Sequence, residues 1–192
     1  PLALRGCTMY CFLVDAILSA LQLMIDSQLN VVGADYAPFW PFVAIVAADI
    51  KNKDWSGAPR RDRIHAVACD VTDARQVAAT FAECRKQFGR VDVLCNNAGI
   101  ARPTGRLHEM EMRDFDEVIA VNLRGAYLVL RAGLAAMLET GGGSIVNTAS
   151  IGGLQALQRL GAYGASKAGL VLLTRQAALE YAGDKIRVNA VC

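Results

Sequence analysis

The chain has 192 residues, 20 Lys+Arg against 18 Asp+Glu, a formal net charge of +2, and 54% hydrophobic residues. That length suits one domain with a sizeable core and is short for two. The near balance of charge provides no global field to draw the chain to nucleic acid or to an acidic membrane.

The first long apolar run is Cys7–Ile25. Asp15 sits near its middle, at a cost of about 2.5–3.5 kcal/mol on insertion scales. The run also lacks the layout of a signal peptide, so it reads as a buried helix and not as a membrane span. Pro38, Trp40 and Pro41 then interrupt the pattern, which sets residues 1–42 apart as an atypical segment. Arg60, Arg61 and Arg63, broken by Asp62, read as a solvated loop.

From residue 43 the chain alternates. Short β-rich runs fall at Val43–Ala48, Ile64–Ala68, Val91–Cys95, Ser144–Thr148 and Ile186–Val191, with helical patterns at Ala74–Phe88, Met112–Glu139 and Ala162–Ala182. Short runs without polar alternation predict strands buried on both faces, as in a parallel sheet covered by helices. The repetition predicts a doubly wound α/β sheet over 43–192, with its ligand at the carboxyl ends of the strands. Polar candidates gather at those ends. Asp49 follows the first run, Asp70 the second, Asn96–Asn97–Ala98–Gly99 the third and Ser150 the fourth. The tract Gly141–Gly142–Gly143 ends the long helix and turns into the next strand.

The six cysteines, at 7, 11, 69, 84, 95 and 192, form no CxxC pair, and His65 and His108 are the only histidines. A metal site is not expected. Scattered cysteines in apolar runs read as reduced, buried thiols of a cytoplasmic protein.

The last helical pattern carries the most specific chemistry. Tyr163 lies thirteen residues after Ser150 (163 − 150) and four before Lys167 (167 − 163). On a helix, positions i and i+4 share a face, so the lysine charge can favour phenolate over phenol. Tyr-x-x-x-Lys alone also fits a solvated surface pair, and the strand-end residues are what favour a site.

In this order, Asn96-Asn97-Ala98-Gly99, Val121–Asn122, Ser150 and Tyr163-x-x-x-Lys167 resemble the short-chain dehydrogenase/reductase family, over roughly Val43 to Cys192. The resemblance implies a Rossmann-like fold and an NAD(P)-dependent oxidoreductase interconverting a secondary alcohol and a ketone by hydride transfer. Tyr163 would be the acid/base, Lys167 would lower its pKa and bind the nicotinamide ribose, and Ser150 would polarise the substrate oxygen. Asn122 would hold a water linking Lys167 to solvent; a helix-bending or capping amide is the other reading of that residue.

For the cofactor, Asp49 would accept the ribose hydroxyls of NAD and repel the extra phosphate of NADP. Asp35 is a rival that lies less well spaced from Asp70. Asp70, with Val71 beside it, matches the position that contacts adenine; the plain alternative is the capping loop of the next helix. Asn97, Ala98 and Gly99 would let the backbone approach the cofactor closely. The resemblance also implies pairing of helices between subunits, hence a homo-oligomer.

Two departures qualify this. Residues 1–42 offer only Gly6 and Gly33 where the family has a Gly-rich pyrophosphate turn, and the chain ends at Val191–Cys192, where the family continues. An incomplete fold is therefore expected. A second class of function stands beside the enzyme: a catalytically inactive fragment serving as an interaction or dimerisation module. The missing glycine turn favours that reading, and Ser150, Tyr163 and Lys167 favour the enzyme.

Overall fold

Two parallel sheets organise the described residues of the computed structural model, which describes residues 48–49, 67–102 and 105–192. Strand β1 (Ala48–Asp49) pairs in parallel with β2 (Val67–Ala68), placing Asp49 beside Ala68. Strands β3 (Val93–Asn96), β4 (Gly143–Thr148) and β5 (Ile186–Val191) form a second parallel sheet in the order β3-β4-β5. Its register sets Asn96 beside Asn147 and Thr148 beside Val191, so the carboxyl ends of the strands lie together. The expected helix at Cys7–Ile25, the rival Asp35, and the earlier parts of the Val43–Ala48 and Ile64–Ala68 runs lie outside the described residues.

Helix α1 (Ala74–Phe88) has the predicted bounds because both ends are chemically marked. Asp73 accepts a hydrogen bond from the Arg75 N–H, and Gly89 ends the helix at a φ of 79°. Its face of Val77, Thr80 and Cys84 is buried. The predicted single helix over Met112–Glu139 differs in detail. It consists of α2 (Met112–Ile119), a π-helical stretch at Ala120–Gly125, and α3 (Ala126–Thr140). A π turn holds one extra residue and widens the helix locally. By length and composition this run could cross a membrane, yet Ala126, Val129, Leu130, Leu134, Ala136 and Met137 of α3 are buried in the core.

Gly141, at a φ of 85°, and Gly142, at 132°, turn the chain from α3 into β4, as the glycine tract predicts. Helix α4 (Gly161–Glu180) follows a 3-10 turn at Ile151–Gly153 and leads to β5. One apolar cluster joins Cys84, Leu130, Leu134, Met137, Ile145, Ala177, Ile186 and Val188, so α1, α3 and α4 pack on the β3–β4–β5 sheet. A second gathers Cys69, Val71, Val77 and Val129 beneath the turn after β2. Inside the first layer runs a polar chain. Asn96 Nδ2 donates to Asn147 Oδ1 (2.9 Å) and to the Ala126 carbonyl (2.8 Å); Asn147 Nδ2 donates to Thr174 Oγ1 (2.9 Å), which donates to the Leu170 carbonyl (2.7 Å).

Burial on both faces of the strands, expected from the apolar runs, holds for one face. Val93 and Cys95 of β3 and Arg187 and Asn189 of β5 alternate with buried residues and are exposed. The cysteines divide likewise. All four described are free, Cys69 and Cys84 buried as expected, Cys95 and Cys192 exposed.

Ile145 is fully buried at the centre of the larger cluster. Ile145→Ala is expected to cost about 2–5 kcal/mol, through lost burial and the cavity left behind. The urea midpoint should fall accordingly, with its slope unchanged.

Candidate active site

Helix α4 brings Tyr163 and Lys167 one turn apart on a shared face, as their spacing predicts. Lys167 is 3% exposed and its Nζ lies 5.9 Å from the centroid of the Tyr163 ring. The ammonium donates to the carbonyl oxygen of Thr148, at the end of β4, over 2.6 Å. Among the described residues no carboxylate pairs with it. Burial alone lowers its pKa from 10.5 to about 8.

Ser150 leaves the end of β4 and caps the Ile151–Gly153 turn, its Oγ accepting from the Gly152 N–H at 3.1 Å. A Cβ added to Gly152 would stand 3.5 Å from Tyr163 Cε1 and 3.6 Å from Ser150 Oγ. The serine hydroxyl and the edge of the phenol ring therefore border one space. A Cβ at Gly153 would meet the Lys167 carbonyl carbon at 2.7 Å. This turn sits directly on the α4 backbone, which sets Ser150 against Tyr163.

Asn122, in the π-helical stretch, is fully buried. Its Oδ1 accepts from the Ile100 N–H (2.7 Å), and its Nδ2 donates to the Ile100 carbonyl (2.8 Å) and to Ser166 Oγ (3.2 Å). Ser166 donates in turn to the Tyr163 carbonyl (2.7 Å). The amide thus ties the loop after β3 to the helix of Tyr163. A position above Gly99, where a Cβ would be, is 3.3 Å from both Asn122 Oδ1 and Lys167 Nζ. Asn97 Oδ1 accepts from Thr148 Oγ1 at 2.8 Å, and farther along the loop Arg102 pairs with Glu117 of α2.

Ser150, Tyr163, Lys167, Asn122 and the Asn97–Ala98–Gly99 turn therefore converge. The remaining candidates are Asp49, Asp70 and Val71. Asp49 ends β1. Asp70 accepts at Oδ1 from both the N–H and the hydroxyl of Thr72, each at 2.8 Å, shaping the turn before α1. Val71 is buried in the smaller cluster, so only its backbone is free to meet a ligand.

Sequence reasoning missed Thr148 and Ser166. A backbone carbonyl as acceptor carries no residue signature, and Thr148 stood only as the last residue of a strand. The residues that converge fit the nicotinamide-riboside end of a dinucleotide. The ammonium has N–H groups beyond the one given to Thr148, and the space above Gly99 lies beside it.

A family model for short chain dehydrogenases matches residues 43–192. The 2-(R)-hydroxypropyl-CoM dehydrogenase of Xanthobacter autotrophicus is 46% identical over 133 residues, 68% of this chain and 53% of that protein. An inactive 2-(S)-hydroxypropyl-CoM dehydrogenase 2 of the same organism is 44% identical over 126 residues, 66% of this chain and 54% of its own. The crystal structure of an NAD+-bound xylitol dehydrogenase superposes with a TM-score of 0.66 at 38% identity, covering 67% of this chain and 49% of that one. The chain spans about half the length of the curated relatives it matches.

The lysine makes stability depend on pH. The unfolded chain holds this proton up to about 10.5 and the folded chain only up to about 8, so burying the ammonium destabilises the fold below pH 8. Stability recovers as pH rises from 8 to 10.5, by at most roughly 3 kcal/mol. Lys167→Met removes that dependence. Its urea stability relative to the natural chain should be greatest near pH 7 and decline by pH 10.5.

Proposed function

The chain belongs to the short-chain dehydrogenase family, whose fold is a parallel Rossmann-like α/β sheet, and on that premise we propose that it carries the proton-transfer centre of an NAD(P)-dependent oxidoreductase. The reaction proposed interconverts a small secondary alcohol and a ketone. The observation that carries this reading is that Ser150 and Tyr163 border one space while a buried Lys167 stands 5.9 Å from the Tyr163 ring.

In the reducing direction the Tyr163 hydroxyl gives its proton to the substrate carbonyl oxygen, and in the oxidising direction it takes one from the alcohol. Ser150 donates a hydrogen bond to the same oxygen, where negative charge grows in the transition state. The Lys167 ammonium, 5.9 Å from the phenol ring, stabilises negative charge on the tyrosine oxygen. Bound cofactor supplies or accepts the hydride. Lys167, Tyr163 and the Asn97–Ala98–Gly99 turn would hold its nicotinamide ribose; Asp49 would hold the adenine ribose, and Asp70 and Val71 would border the adenine. NAD is preferred over NADP because Asp49 would repel a ribose phosphate. The NAD+-bound neighbour supports the preference. Asn122 supports the site by fixing the Ile100 loop, and a water held near it would connect Lys167 with solvent.

A second reading is a fold that keeps these side chains without turnover, as an interaction or dimerisation module. The relative named as inactive, at 44% identity, favours keeping it. For either reading we propose a homo-oligomer in a reducing, cytoplasmic setting. Ile119 of α2, Leu123 and Arg124 of the π stretch, Tyr127 of α3, and Gly169 and Leu173 of α4 line a mostly apolar groove, with Leu172 65% exposed on α4.

NADH fluorescence titration of the full chain separates the readings, since absence of binding at millimolar cofactor leaves only the module. Where binding and ketone reduction are seen, Tyr163→Phe should lower kcat at least a hundredfold and leave the NADH affinity within about twofold. Equal turnover in that variant defeats the acid/base role. Sedimentation should give a dimer or tetramer, and Leu172→Lys should shift it toward monomer.

A further inference from the structure

Three bonds meet at Thr148 and the peptide unit that follows it. Its carbonyl accepts from Lys167 Nζ at 2.6 Å, and its hydroxyl donates to Asn97 Oδ1 at 2.8 Å. The far side of the same peptide unit, the Ala149 N–H, donates to the Val191 carbonyl at 2.8 Å. The peptide unit that receives the ammonium is thus bonded to β5, and the side chain of its residue to the loop that follows β3. We infer that Thr148 is a positioning residue for Lys167: its hydroxyl locks the carbonyl that holds the ammonium in place.

The physical need is plain. A buried ammonium without a carboxylate neighbour relies on the dipoles around it, and a carbonyl stabilises a cation only where its oxygen stays aimed. Valine in place of Thr148 keeps shape and carbonyl but leaves Asn97 Oδ1 without its donor, which frees the loop and the peptide plane together. Serine keeps the hydroxyl. Among the described residues no ion pair reaches Lys167. Tyr163 on its own helix is the titratable group placed against it, Gly99 lies beside its ammonium and Gly153 against its backbone, and Arg124 of the π stretch turns away to the Thr72 carbonyl.

The inference rests on the proposed role of Lys167, and its test is independent of turnover. Trace labelling of the full chain with acetic anhydride across pH 6–11, read at Lys167 by mass spectrometry, gives the midpoint of its deprotonation. The natural chain should titrate near 8. Thr148→Val should lower the midpoint by roughly half to one pH unit, because the carbonyl that accepts from the protonated form is less firmly aimed, and Thr148→Ser should restore it. Asn97→Ala, which removes the partner of the hydroxyl from the loop side, should act like the valine and serves if the valine variant does not fold. An unchanged or raised midpoint in Thr148→Val or Asn97→Ala, or failure of serine to restore it, overturns the inference. Inactivity of the natural chain toward ketones with NADH would instead count against the proposed reaction and leave the labelling result to stand.

Discussion

A positive charge enclosed by protein, with no carboxylate paired to it among the described residues, is the constraint around which this fold is arranged. Lys167 is held in place by geometry: a carbonyl at the end of β4, the close flank of Gly99, and a phenol ring one turn back along its own helix. Such an arrangement tolerates little slack, because each interaction falls away when a dipole swings or a gap opens. The close seat of Gly153 on the helix backbone and the grip of Asn122 on both polar groups of Ile100 keep that slack out.

The polar chain through the core serves the same end from below. Asn96, Asn147 and Thr174 tie β3, β4 and α4 to one another at a fixed height, with every bond satisfied inside the layer. Apolar packing alone would let strands slide with modest penalty. Directional bonds between neighbouring strand ends specify one register. The loops that leave those ends, bearing Asn97 on one side and Ser150 on the other, therefore start from a defined frame.

Much of this was legible in the residues. Asp73 and Gly89 delimit α1 and Gly141 ends α3, because caps and left-handed turns have side-chain signatures. The Tyr163 and Lys167 pair was readable from helical periodicity, and Ser150 from its place after a strand. What escaped has physical reasons. Hydrophobic periodicity does not register one additional residue in a helix, so the π stretch at Ala120–Gly125 went unseen. Exposure of Val93 and Cys95 depends on which elements cover a sheet face, which no single strand records. Asp70, legible as a strand-end carboxylate, spends one oxygen on Thr72 in its own turn.

The π stretch has a consequence for how this sequence can vary. One additional residue advances a helix by about 100°, so α2 and α3 are out of phase, each free to present its own side to a different neighbour. Removing a single residue between 120 and 125 would rotate α2 about its axis as a key turns in a lock. The Glu117 that holds Arg102 would swing round with it. Length in this stretch is thus as strictly specified as composition, and insertions elsewhere on the surface offer no guide to what it will accept.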